Sequence, residues 1–311
     1  MDATAHPFSP ATTIESHVKL ALAFTEADRL IRFADAIAGD RSQAWSELIG
    51  DAAIPAAVRK RVTSLHYGNE FCERLIPKRA ALESAIRASE GAALELWLVT
   101  PTLTDRGVDS IGELVAMLPE GSGVVANDWG LIHHLRGSHP RLRIAAGRLL
   151  CKMLKEPRIA SPQHMELGGH GFMSPGLEAL ISRLGVEVIE IDAPPFASVE
   201  DLHAPGVSVA LHLPFGFATT GRICRIGSLH QEPAAKFASG HNCAHECLTY
   251  LAAIKSARPD AMRLFQRGNT IFYRHTTEMA KAVEDACALG VVHKLIVSGD
   301  WNETGSPDRC G

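Results

Sequence analysis

The chain has 311 residues, 46% of them hydrophobic and 21% charged, which is ample for a large buried core and ordinary for a globular protein. A formal charge of −4 and a pI near 6.4 give no electrostatic footprint for nucleic acid or an anionic membrane. No stretch approaches eighteen uninterrupted apolar residues, and the first twenty residues lack the basic-then-apolar pattern of a signal peptide.

Seven cysteines at irregular spacing, without an export signal, predict thiols or metal ligands in a cytoplasmic protein rather than a disulfide framework. Residues 1–15, with Pro7 and Pro10, read as a loose leader, and residues 16–311 as one domain. Val18–Phe24 is the first predicted strand, followed by a helix for which Thr25 is the expected cap. Residues 41–61 read as a further helical insertion, Val62–Gly68 as a strand, and Cys72 sits four residues past its end.

The alternation continues with strands at Ala93–Thr100, Gly123–Ala126, Leu142–Ala146, Val186–Ile191 and Val207–Leu213. Helices are predicted at 109–118, Asp128–Arg136 and 176–184, and the glycine-rich run GGHGFMSPG falls in a long loop, Gly147–Pro175. A cysteine-bearing region follows, then a helix over 246–257, a short strand Thr270–Tyr273, a helix over 276–288 and a closing strand Val292–Ser298. Nine strands are one more than a barrel needs, so Thr270–Tyr273 is set aside as an accessory piece.

Short apolar strands alternating with amphipathic helices predict parallel βα units. Eight such units favour an α/β fold of the closed (β/α)8 TIM-like barrel type, with a cysteine-bearing insertion after the seventh strand. An open dinucleotide-binding sheet is disfavoured, because the first strand–helix turn has no G-x-G-x-x-G.

In a barrel the working residues gather where strands end and loops begin. Cys72 and Cys224 both fall at that face, and Cys243 and Cys247 form a C-x3-C pair in the same excursion as Cys224. One turn into a predicted helix, that pair puts both sulfurs on one face. Four thiolates suit either an iron–sulfur cluster or a structural zinc ion, and spacing leaves both open. Cys151, Cys287 and Cys310 read as plain thiols.

Other candidates at the same face are less specific. Asn127 and Asp128 read first as helix caps, Arg222 and Arg225 as neighbours of a metal ligand, and Arg274, His275, Asp300 and Trp301 as strand-end residues. His230, His241 and His245 are alternative ligands by proximity to the cysteines. No catalytic acid or base is identifiable, and no G-x-S-x-G, H-E-x-x-H or Cys/His signature supports proteolysis.

The stretch Leu65–Arg74, LHYGNEFCER, resembles the Y-L-G-x-x-x-C-x-x-R segment of the UbiV branch of the U32 peptidase-like family. The run LPFGFATTGRICRIGSLH with its following C-x3-C, the turn VVANDWGLIHHLR and the ending ALGVVHKLIVS are similar to further segments of that branch. The resemblance implies a [4Fe–4S] cluster on Cys72, Cys224, Cys243 and Cys247. It also implies a part in oxygen-independent hydroxylation in ubiquinone biosynthesis, as a heterodimer with a UbiU-like member of the same family. A carrier delivering the quinone precursor is a further implied partner. Related branches hydroxylate RNA bases, and a zinc-stabilised scaffold is the non-redox alternative. Eighteen residues separate Cys224 from Cys243, more than the family pattern, which implies an enlarged loop there.

Overall fold

The computed structural model describes residues 18–39, 61–151, 153–157, 161, 173–236, 242–255 and 262–300. The expected leader, residues 41–60 of the helical insertion expected over 41–61, most of the glycine-rich run, His241, Trp301 and Cys310 lie outside these residues.

Eight parallel strands close into a barrel: β1 (Lys19–Phe24), β2 (Val62–Gly68), β3 (Glu95–Thr100), β4 (Gly123–Ala126), β5 (Arg143–Ala146), β6 (Val188–Ile191), β7 (Ser208–Leu213) and, last in the chain, β12 (Lys294–Ser298). The circle is completed where β12 inserts between β7 and β1. These are the eight strands expected from the sequence, β2 and β4 with the expected bounds and the other six trimmed by one or two residues at their starts. They read as near-continuous apolar runs because both faces are covered.

Side chains alternate across each strand. Leu20, Leu22 and Phe24 of β1 face outward into the layer shared with the helices, whereas Ala21 faces inward with Trp97, Val125, Ala145, Val188, Ala210 and Ile296. Helix α1 (Ala27–Ala38) shows the matching pattern, burying Leu30, Phe33, Ala34 and Ile37 at helical spacing. Each fully buried leucine or phenylalanine contributes roughly 1.5–3 kcal/mol relative to exposure.

The other helices among the described residues are α2 (Arg79–Gly91), α3 (Asp105–Val115), α4 (Trp129–Ser138), α5 (Pro175–Arg183) and α6 (Thr277–Ala288). Four have side-chain caps: Thr104, Asp128, Ser174 and Thr276 each accept a first-turn N–H. The expected cap at Thr25 is corrected. Glu26 holds the cap position of α1 without a side-chain bond, and the Thr25 N–H donates to Asp300 Oδ2 at 2.6 Å. Helix α2 was not anticipated. After β6 the chain returns through one 3-10 turn, Glu200–Leu202, instead of an α-helix.

A second correction concerns the segment after β7. The chain enters a four-stranded antiparallel sheet made of β8 (Phe215–Thr220), β9 (Ala252–Ile254), β10 (Leu264–Arg267) and β11 (Thr270–Arg274), in the order β8-β11-β10-β9. The helix expected over 246–257 is therefore absent among the described residues. Only a 3-10 turn forms, Glu246–Leu248, and Ala252–Ile254 pairs instead with Leu264–Gln266. Thr270–Tyr273 is accessory, as expected, but as an inner strand of this sheet.

Candidate functional site

The carboxyl ends of the barrel strands and the small sheet enclose a cavity of about 630 Å³. Cys72, Cys224, Cys243 and Cys247 all line it, together with Arg74, Arg222, Arg267 and Asp300. Three separate stretches of chain supply the cysteines, and each is held by local geometry.

Gly68 ends β2 at φ +131°, with its Cα hydrogens against the backbone of Val99, where a Cβ would lie 2.2 Å from the carbonyl oxygen. Only glycine lets the strand turn there. The next turn is built by Asn69, whose Oδ1 accepts from the N–H groups of Phe71 and Cys72, both at 2.9 Å. Cys72 then precedes the 3-10 turn Glu73–Leu75. Asn269, at the turn between β10 and β11, donates to Phe71 O at 2.8 Å and to Gly221 O at 2.7 Å. One amide thus ties the Cys72 loop to the start of the Cys224 loop.

Cys224 Sγ accepts from the Gly227 N–H at 3.2 Å, and Cys243 Sγ from the His245 N–H at 3.3 Å. Backbone donors aimed at sulfur favour a thiolate. The C-x3-C pair is not on a regular helix: Cys243 precedes a left-handed residue, His245, and Cys247 lies within the 3-10 turn. Gly268 sits beside the group at φ +59°, where a Cβ would meet Cys247 Sγ at 3.6 Å and Cys224 Sγ at 4.0 Å. Among the described residues no three cysteine sulfurs lie within 4.8 Å of one another. Burial, then the neighbouring cysteines, push the Cys247 thiol up to about 12. Burial also raises Cys72 and Cys224, against the backbone N–H groups that favour their thiolates.

Cys151 and Cys287 are buried away from this cavity, as expected of plain thiols. Asp128 is a helix cap, but Asn127 is not. Its Nδ2 donates to Thr100 O at 2.9 Å and its Oδ1 accepts from the Leu149 N–H at 3.0 Å, joining three strand ends. His230 pairs with Glu246 at 3.2 Å, and the His245 backbone, not its ring, reaches a cysteine. Arg222 lines the cavity, whereas Arg225 does not. His275 is 6% exposed, and both its ring nitrogens are buried without a hydrogen bond.

The inner part of the cavity holds a charged network that sequence reasoning missed. Arg148, 5% exposed, makes three hydrogen bonds to Glu70 at 2.7–3.1 Å and one to Asp192 Oδ1 at 2.7 Å. Lys155 Nζ lies 2.6 Å from Asp192 Oδ2. Burial alone would raise the carboxyl of Asp192, but Lys155 and Arg148 hold it well below the usual range. The guanidinium also lies 5.3–6.0 Å from the ring centroids of Phe71, Phe217 and Phe272, so cation and aromatic wall share one surface.

Next to it, His212 Nε2 is 2.7 Å from Glu190 Oε2, and His66 Nδ1 is 3.4 Å from Glu190 Oε1. Burial is opposed by the two imidazoles, with His212 the stronger, and Glu190 stays below the usual carboxylate range. Burial lowers His66. Glu190 and His212 were legible: each interrupts an apolar strand at an inward position, two residues beyond Val188 and Ala210 respectively. Glu70, Arg148, Lys155 and Asp192 sit in loops, where charge looks like solvated surface until the fold brings it together.

No protein-family model and no curated protein matches the chain. Among solved structures it is similar to a U32 peptidase, at 11% identity and a TM-score of 0.41, over 91% of this chain and 93% of that one. The YdjI aldolase of Escherichia coli K12 is matched at 11% identity and a TM-score of 0.37, over 63% of this chain and 66% of that one. The carboxyl transferase domain of Rhizobium etli pyruvate carboxylase is matched at 10% identity and a TM-score of 0.41, over 91% of this chain and 40% of that one. At these values the likenesses carry no argument about family or chemistry, and the barrel rests on the chain's own strand order.

Proposed function

We propose that the chain is a cytoplasmic iron–sulfur barrel protein, with a [4Fe–4S] cluster on Cys72, Cys224, Cys243 and Cys247, that takes part in oxygen-independent hydroxylation in ubiquinone biosynthesis. The observation that carries the reading is that four cysteines from three separate stretches line one cavity. A bound cluster would supply one-electron transfer. The residues present fit such a group. Two backbone N–H groups point at sulfurs, Gly268 leaves room beside two of them, and Arg74, Arg222 and Arg267 supply positive charge at the same cavity.

Zinc and a cluster ask for different sulfur spacings. A single zinc ion bound at about 2.3 Å from each thiolate would draw the sulfurs to within about 4 Å of one another. A cluster binds each thiolate to a different iron and accepts a wider set. Phe71, Phe215 and Phe272, which line the cavity, suit an apolar ring as the substrate portion held there.

A heterodimer with a UbiU-like partner belongs to the same reading. Among the described residues, four of the seven exposed large apolar side chains, Ile223, Leu229, Tyr250 and Leu251, lie in the cysteine-bearing excursion. Apolar side chains exposed together mark a surface suited to a partner. A carrier that delivers the quinone precursor belongs to the same reading; no helix among the described residues is long and apolar enough to cross a membrane.

Substitution tests the ligand set. Cys72→Ala should abolish the visible absorption of the anaerobically purified protein, while Cys287→Ala should leave it unchanged. Equal retention in both variants would overturn the assignment.

A further inference from the structure

The inner wall of the cavity carries a second group of possible ligands, separate from the cysteines. Glu70 follows β2, Glu190 lies on β6 and His212 on β7, and each offers one donor atom within 4.8 Å of the other two. His212 Nε2 is 2.7 Å from Glu190 Oε2 and 3.8 Å from Glu70 Oε1. All three are buried, with exposures of 9%, 1% and 8%, yet all three line the cavity, so an ion could reach them.

A second, independent observation points to a ligand. His66, 2% exposed, directs Nδ1 toward Glu190 Oε1, but that oxygen makes no hydrogen bond, and neither does His66 Nε2. Buried polar atoms are ordinarily paired, so two orphans side by side call for a partner such as an ion. Three carboxylates, Glu70, Glu190 and Asp192, meet within this network; Arg148 pairs with Glu70 and Asp192, Lys155 pairs with Asp192, and Lys294 acts on Glu190 through space.

We propose that Glu70, Glu190 and His212, with His66 beside them, bind one divalent first-row transition-metal ion on the inner wall of the cavity. Mixed imidazole and carboxylate donors suit manganese, ferrous iron or zinc, whereas magnesium and calcium prefer oxygen alone. Arg148, bonded to both oxygens of Glu70, fixes that carboxylate from outside, as supporting groups around metal ligands do. The competing arrangement is a proton on His212 shared with the two carboxylates.

The site stands whether or not the cysteines hold a cluster, and one experiment separates the two. The full chain, purified without oxygen and freed of loosely held metal, is titrated with Mn(II), and free Mn(II) is read by electron paramagnetic resonance. The expected result is one Mn(II) per chain with a nitrogen coupling from imidazole. Glu190→Gln and His212→Gln should each weaken binding by at least about 100-fold, because each removes a ligand and losing even a supporting group costs about 10–100-fold. Cys72→Ala should keep the Mn(II) site even where it loses its cluster. Wild-type protein that takes up no stoichiometric Mn(II), or shows no nitrogen coupling, would overturn the proposal without reference to any variant. Binding unchanged in folded Glu190→Gln and His212→Gln would overturn it equally.

Discussion

Arg148→Met leaves two buried carboxylates facing one another across the cavity wall without their common partner. The guanidinium makes three hydrogen bonds to Glu70, one to Asp192 and one to the Phe215 carbonyl at 3.2 Å, so no single replacement restores its contacts. Lys155 still serves Asp192, and Glu70 loses every charge partner but His212, at 3.8 Å. Breaking a buried pair of this kind costs about 3–5 kcal/mol, because the remaining charge stays desolvated. For a chain of this size that corresponds to a fall in Tm of roughly 5–8 °C. The assay is thermal unfolding followed by circular dichroism at pH 7, with metal content held equal. Arg148→Lys should fall between wild type and Arg148→Met, since an ammonium cannot span both carboxylates. A loss below about 1 kcal/mol, the range of exposed pairs, would refute the claim that this network is desolvated and stabilises the fold.

Gly268→Ala should lower the iron bound per chain while leaving the far-ultraviolet spectrum intact, because the new methyl meets Cys247 and Cys224 and the left-handed φ of +59° disfavours it. Gly221→Ala, where nothing lies within 4 Å, serves as the control, and equal iron in both variants would contradict the crowding argument. His275 gives a pH prediction. Burial lowers its pKa from 6.5 to about 4, so the folded state keeps the ring neutral where the unfolded chain takes a proton. Its contribution is full above pH 6.5 and lost as pH falls toward 4, roughly 3 kcal/mol in all. His275→Phe should remove that part of the acid destabilisation in urea titrations; identical pH slopes in both proteins would refute it.

The barrel was legible because its eight strands are apolar on both faces, and VKLALAF or VHKLIVS can be little else between polar turns. The small sheet was not. Leu248–Ile254 has the composition of a helix, and only the ladder to Leu264–Gln266, brought close by β8 and β11, makes it a strand. Propensity there is overridden by pairing between distant segments. Cys72 and Cys224 could be placed at one face from strand ends alone, but the helix expected for Cys243 and Cys247 did not form, because His245 takes a left-handed conformation between them. The charged network lay beyond sequence reasoning for another reason. Glu70 and Arg148 are 78 residues apart, and neither interrupts a pattern that would betray burial.

The most direct test is the iron and acid-labile sulfide content of the full chain purified without oxygen. The proposed ligand set predicts about four of each per chain, as a [4Fe–4S] cluster requires. Zinc without sulfide, or neither metal, would contradict the iron–sulfur reading of Cys72, Cys224, Cys243 and Cys247.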